Sequence, residues 1–202
     1  MDVMEAIKLR RSIRKFKSTP VPDEYLQELL EAARLAPSGT NIQPWRFIVV
    51  RSTEAKEKLA GCTPLPFVGN APLTLICCVD NEVFGTRGDR VRELQEAGAF
   101  VGTPLESTNS QDYLKNRQMD EAAANAYINL NLAIAIENIV LQATNLGLGT
   151  CWVMMFSPAK VKEAFQIEDR YRVVALLPIG YPDQNPAPRP RLTREEIILK
   201  EV

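Results

Sequence analysis

Arg10-Arg11-Ser12-Ile13-Arg14 is the stretch that decides how this chain is read. Three guanidinium groups and a hydroxyl fall within five residues, where an N-terminal helix should end. The planar guanidinium fork donates two parallel hydrogen bonds and matches a phosphate. A hydroxyl between two such forks completes a cradle for an anion. In extended backbone the side chains alternate, so Arg10, Ser12 and Arg14 share one side while Arg11 and Ile13 face the other. A solvated basic turn has the same composition, so the rest of the chain has to discriminate between the two.

The 202 residues are 46% apolar and 24% charged, an ordinary globular balance with enough apolar surface for a core. They read as a single domain over residues 1–202, with a lid or excursion at about 81–119. The formal net charge is −1, so the whole chain carries no electrostatic footprint for nucleic acid or a membrane surface. Any anion site has to be a local cluster. Histidine is absent, which removes the usual general base, the commonest metal ligand and every Ser-His or Cys-His nucleophile. Cys62, Cys77, Cys78 and Cys151 contain no C-x-x-C pair, so no metal site is expected. They read as buried free thiols of a cytoplasmic protein, with Cys77 and Cys78 on opposite faces of one strand. The start, Met1-Asp2-Val3-Met4-Glu5, is acidic and helical, unlike a signal peptide. The most apolar long segment, residues 128–141, is interrupted by Asn129, Asn131, Glu137 and Asn138 and reads as too short and too polar to span a bilayer.

Asp2 is expected to cap a short helix that turns Val3, Ala6 and Ile7 inward. Pro22-Asp23-Glu24 opens a second helix, on which Leu26, Leu29, Leu30 and Ala33 recur at helical spacing until Pro37 stops it. Pro37-Ser38-Gly39-Thr40-Asn41-Ile42-Gln43-Pro44-Trp45 is a second unusual stretch. Gly39 permits close backbone approach, and Asn41 and Gln43 offer paired donors and acceptors to a flat heterocycle. An ordinary turn whose amides bond their own backbone is the competing account. Residues 47–50 and 72–79 read as strands, the latter apolar on both faces, with a helix over residues 52–60 between them. The excursion shows one short helix over residues 89–97 and a loop over residues 102–113. Asp120 caps a long helix closed by Gly147. It is apolar almost all round, which favours a second subunit on one face or burial within its own chain. A strand entering a turn over residues 148–156, a helix opened by Ser157-Pro158 and a last core strand at residues 173–177 follow. Prolines hold Pro186-Ala187-Pro188-Arg189-Pro190-Arg191 extended, so that Arg189 and Arg191 project together.

Four segments together make the chain resemble the nitroreductase family of FMN-dependent oxidoreductases. They are Arg10-Arg11-Ser12-Ile13-Arg14, residues 36–45, Gly147-Leu148-Gly149-Thr150-Cys151-Trp152-Val153 and Arg189-Pro190-Arg191. The resemblance implies an α+β fold with a central, mainly antiparallel sheet flanked by helices. It also implies an intertwined homodimer around the long helix, with FMN sites at the interface. FMN-binding residues by this resemblance are Arg10, Arg11, Ser12, Arg14, Pro37, Ser38, Gly39, Asn41, Gln43, Met154, Met155, Arg189 and Arg191. Arg10, Ser12, Arg189 and Arg191 would hold the phosphate, and Arg14 would lie near the pyrimidine edge. Residues 37–43 would reach in from the partner subunit, and the N–H groups of Met154 and Met155 would face flavin N5 and O4. Charge-assisted bonds from arginine to phosphate contribute about 1.5–3 kcal/mol each. No side chain is expected to be catalytic, because the flavin carries the chemistry.

The implied activity is ping-pong: hydride from NADH or NADPH to flavin N5, then to a nitroaromatic, a quinone or a similar small acceptor. The same resemblance leaves open dehalogenase or flavin-cleaving chemistry, and a non-catalytic FMN-binding or sensing role. Two features depart from the family pattern. Pro64-Leu65-Pro66-Phe67 has no Lys where several members place one near the pyrimidine edge, and Met154-Met155 is bulky where many members are small.

Overall fold

The strand with no polar face lies at the centre. The computed structural model describes residues 1–115 and 118–202. Strand β1 (Trp45–Val50), β2 (Leu73–Asp80), β3 (Gly149–Thr150) and β4 (Tyr171–Gly180) form one sheet in the order β1-β2-β4-β3, antiparallel throughout. Every residue of β2 is buried, because β1 and β4 flank it and helices cover both faces. Leu73, Leu75, Cys77 and Val79 join one apolar cluster, and Ile76 and Cys78 join a second on the opposite face. Period-2 alternation thus divides the core into two layers, with the two adjacent cysteines on opposite sides as their positions require. All four cysteines are free and buried.

The first layer is made by helices α2 (Asp23–Arg34) and α7 (Glu121–Asn145). Leu26, Leu29 and Ala33 of α2 meet Ile128, Leu132, Ile136, Ile139 and Val140 of α7, three- and four-residue spacings that line one helical face. The second layer holds α3 (Thr53–Ala60), α4 (Pro66–Asn70) and α8 (Pro158–Ala164), which contribute Leu59, Val68 and Val161. Side-chain oxygens close the helix starts. Asp2 accepts from the Glu5 N–H at 2.8 Å, Ser52 from Ala55 at 3.2 Å, Asp120 from Ala123 at 2.7 Å and Ser157 from Lys160 at 3.3 Å. Each cap contributes about 1 kcal/mol. Gly147 ends α7 with φ +74, a left-handed conformation that glycine adopts without steric cost.

Several expectations are corrected. In α1 (Val3–Leu9) only Ala6 is buried; Val3 and Ile7 are exposed, because the helix touches α7 along a single narrow edge. Strand β1 begins at Trp45, two residues early, since Trp45 pairs with Val79. Only Gly149 and Thr150 form the short β3; beyond them Val153 makes an isolated bridge to Leu176. In the excursion, α5 (Arg87–Glu96) starts two residues before the expected helix. The supposed loop over residues 102–113 contains a 3-10 turn at Pro104–Glu106 and the start of α6 (Ser110–Lys115). The tail beyond the prolines, which reads as a short acidic helix or strand, forms helix α9 (Arg194–Ile197), opened by a Thr193–Glu196 capping box. With 25 residues and an 18-residue stretch of mean hydropathy 1.2, α7 meets the length and composition of a membrane-crossing helix. Its buried stripe against α2 and the sheet is that of a core helix.

At the end of β2 a buried carboxylate joins strand and loop. Asp80 accepts from Arg170 Nη2 at 2.6 Å, Arg46 Nη2 at 3.3 Å and the Glu82 N–H at 3.1 Å. Burial pushes its pKa up, but the Arg170 hydrogen bond, the Glu82 N–H and the charges of Arg170 and Arg46 outweigh burial, and the net shift is downward. A carboxylate with a lowered folded pKa stabilises the fold above its unfolded value of about 3.9, and that stability is lost as pH falls through the folded pKa. Asp80→Asn should therefore cost about 2 kcal/mol at neutral pH. It should also flatten the acid limb of stability below about pH 4. Urea denaturation of both proteins across pH checks this; parallel acid limbs would refute it.

Candidate functional site

Helix α1 ends at Leu9, and the chain leaves it along the sheet. The Ile13 N–H donates to the Thr150 carbonyl at 2.8 Å, and Ser12 forms a parallel bridge with Thr150. The Ile13 side chain is buried and serves as the peg that fixes this segment. Beside Ser12 lies the buried Cys151 thiol. Burial pushes its pKa up, against the opposing influence of the Arg14 charge, a hydrogen bond with the Ser12 hydroxyl and the Arg10 charge.

The arginines on either side of the peg meet the proline-stiffened tail. A cavity of about 380 Å³ is lined by Lys8, Arg10, Arg11, Ser12, Arg14, Arg189 and Arg191, with Ile7 and residues 186–188 as its apolar wall. No carboxylate lines it. Among the described residues, none of these cations has a carboxylate partner, whereas Arg46, Arg51, Arg90, Arg92 and Arg170 all do. Concentrated, unneutralised guanidinium charge repels itself, and an anion bound among these groups would relieve that repulsion. Arg11 departs from the alternation expected for it. Its Nη1 donates to the carbonyls of Lys8 at 2.7 Å and Arg10 at 2.8 Å, satisfying the end of α1, and this turns the side chain back to the cavity. Lys8 was not among the expected residues; a lysine two residues before the arginine cluster was the available signal.

The second stretch forms a strained turn. Ser38 Oγ accepts from the Gln43 N–H at 3.1 Å, and Gln43 Nε2 donates to Asn41 Oδ1 at 3.1 Å. Thr40, Asn41 and Gln43 have φ of 50, 53 and 46, three left-handed non-glycine residues within four positions. Such residues cost on the order of 1–3 kcal/mol and collect at ligand sites. The turn is held from α7, where Asn131 Oδ1 accepts from the Gly39 N–H at 2.7 Å and Asn131 Nδ2 donates to the Tyr127 carbonyl at 2.7 Å. Asn131 is a buried amide within an apolar helix; that polarity was the visible sign of its role. A Cβ on Gly39 would stand 1.8 Å from the Tyr127 hydroxyl. Helix α5 also packs on this turn, and Arg87 lies over the Phe84 ring at 4.2 Å while Phe84 meets Tyr127 edge to face.

Met154 and Met155 form the third piece. Both side chains are exposed, and among the described residues their N–H groups have no hydrogen-bond acceptor. The Met155 carbonyl accepts from the Thr63 hydroxyl at 2.6 Å. Met155 lines a cavity of about 510 Å³ with Cys62, Thr63, Pro64 and Lys160. Within one chain, residues 37–43 and the two methionines lie outside the arginine cavity.

The nitroreductase family pattern matches residues 7–181. An NADH dehydrogenase of Thermus thermophilus is 31% identical over 98% of this chain and 96% of its own length. A chain from Exiguobacterium sibiricum 255-15, solved in complex with FMN, superposes with a TM-score of 0.84 at 26% identity, covering 100% of this chain and 98% of its own. An iodotyrosine deiodinase of Thermotoga neapolitana is 28% identical over 96% of this chain and 94% of its own length. This chain belongs to the nitroreductase family. It is an enzyme with the FMN-dependent NAD(P)H oxidoreductase chemistry of that family.

Gly39→Ala should displace the turn and lower stability by about 1–3 kcal/mol through overpacking against Tyr127. Pairing it with Tyr127→Leu, which empties the colliding space, should recover part of the loss. Denaturation midpoints of the two variants check this, and equal losses in both would refute it.

Proposed function

We propose that the enzyme works as a homodimer that takes a hydride from NADH or NADPH and delivers two electrons to a nitroaromatic, a quinone or a similar small acceptor in the same pocket. The observation that carries this reading is the cavity of arginines with no carboxylate. Its donor set fits a phosphate dianion, and the free N–H groups of Met154 and Met155 fit acceptor atoms on a ring edge. Bound FMN would supply the ring that accepts and returns the hydride.

In this reading Arg10, Ser12, Arg189 and Arg191 hold the phosphate, with Arg11 beside them. Arg14 lies toward the pyrimidine edge, where its positive charge stabilises developing negative charge. The Met154 and Met155 N–H groups orient the ring. Pro37, Ser38, Gly39, Asn41 and Gln43 come from the partner subunit, which accounts for their separation from the arginine cavity within one chain. Exposed apolar side chains support the dimer: Val3, Met4 and Ile7 on α1, Leu130 on α7, and Ile197, Ile198 and Leu199 in the tail. Such a spread of large apolar groups calls for cover. Helix α5 packs on the turn as a lid, and its side chains select the acceptor. The free buried cysteines suit a reducing compartment, and we place the protein in the cytoplasm.

Anaerobic titration of the yellow protein with NADH and then NADPH tests this reading. The oxidised-flavin absorbance should fall with at least one of them and return on adding a quinone or nitroaromatic. No loss of absorbance with either nicotinamide would contradict it. Turnover of iodotyrosine without turnover of nitroaromatics or quinones would move the enzyme to dehalogenation.

A further inference from the structure

Arg87 is the cation of the excursion that has no carboxylate. Among the described residues over 81–115, the others are paired: Arg90 with Glu93 at 2.7 Å, Arg92 with Asp89 at 2.7 Å and Lys115 with Asp112 at 3.5 Å. Arg87 Nε donates to the Phe84 carbonyl at 3.3 Å, and among the described residues neither Nη group has an acceptor. The stability of α5 does not account for a charge at this position. Arg87 is the first residue of the helix, where the helix dipole opposes a cation. Its side chain is also partly buried.

The guanidinium is nevertheless held in place. It lies over the Phe84 ring at 4.2 Å, and Phe84 meets Tyr127 edge to face, with centroids 6.0 Å apart and an angle of 72° between the rings. The Tyr127 hydroxyl stands against Gly39 of the strained turn. Gly88 and Val91 bury the adjoining face of α5, which packs on that turn. Two aromatic rings thus connect an unneutralised cation to the backbone that, in the reading under Proposed function, reaches the flavin.

We propose that Arg87 is a specificity-determining residue, and that the preferred acceptors are aromatic rings bearing an anionic group, a carboxylate or a sulfonate. Nη1 and Nη2 take that group in a two-pronged contact, which leaves the reducible group at the opposite end of the ring. The inference rests on the acceptor-reduction reading given under Proposed function and names the acceptor class for it. The overall balance is that of the same activity: the nicotinamide gives a hydride, solvent gives a proton, and a nitro group becomes a nitroso group with loss of water.

Steady-state reduction of para-nitrobenzoate and para-nitrobenzamide tests it. The two acceptors share the ring and the nitro group and differ in charge. The ratio of their kcat/KM values, benzoate over benzamide, isolates the anion, because a change in fold or flavin content moves both values together. Arg87→Gln should lower this ratio by about tenfold, the effect of one charge-assisted contact, mainly through KM. Arg87→Lys, which keeps the charge without the fork, should recover part of the loss. In the wild type the ratio should fall as salt rises. Thermal unfolding and flavin absorbance confirm that the variants fold and hold FMN. An Arg87→Gln ratio within about threefold of wild type would overturn the proposal, as would a wild-type ratio insensitive to salt. A higher KM for NADPH in Arg87→Gln with an unchanged acceptor ratio would also overturn it, because the cation would then serve the nicotinamide's phosphates. Wild-type protein that reduces neither nitro compound would refute the acceptor reading itself, a failure distinct from that of Arg87.

Discussion

The proposed flavin site depends on holding several guanidinium groups close together without a carboxylate. Like charges at such spacing oppose folding, and the chain meets that cost by anchoring the segment mechanically. Ile13 is buried, its N–H is bonded to Thr150 and Ser12 bridges the same strand, so the arginines stand on a fixed edge of the sheet. Prolines stiffen the tail that brings Arg189 and Arg191 to the other side. The site is therefore preorganised, and the missing negative charge is left for a ligand to supply.

The sheet that anchors this edge owes its position to β2. Buried on both faces, β2 sets two core layers, and α7 in the first layer carries Asn131 and Tyr127 to the strained turn at residues 38–43. One helix thus serves packing along one stripe and positioning through a single buried amide. The turn's three left-handed residues persist because Asn131, Ser38 and helix α5 determine its shape from three directions. The excursion that begins after β2 is fastened at its root by Asp80 and packs on the same turn.

Much of this was legible in the sequence because it rests on local chemistry. Asp2, Ser52, Asp120 and Ser157 cap the helices their side chains suggested, Gly147 stops α7, and β2 is buried on both faces as its unbroken apolar run required. The arginines of the two distant ends meet, as the family resemblance implied. What was not legible depends on long-range contact. Whether Val3 and Ile7 point inward depends on how much of α1 the rest of the chain covers, and it covers only the Ala6 edge. Arg11 escapes strand alternation because the carbonyl ends of α1 attract it. The helical parts of residues 102–115 carry no period that would separate them from loop, and β3 shrinks to two residues because only Gly149 and Thr150 align with β4.

The central claim is that phosphate recognition by the carboxylate-free arginine cavity holds the flavin. Competition between FMN and riboflavin tests it most directly, since the two differ only in the phosphate. Three or more charge-assisted contacts predict that FMN binds at least about a thousandfold more tightly, with the preference shrinking as salt rises. Equal binding of the two flavins, insensitive to salt, would contradict the account.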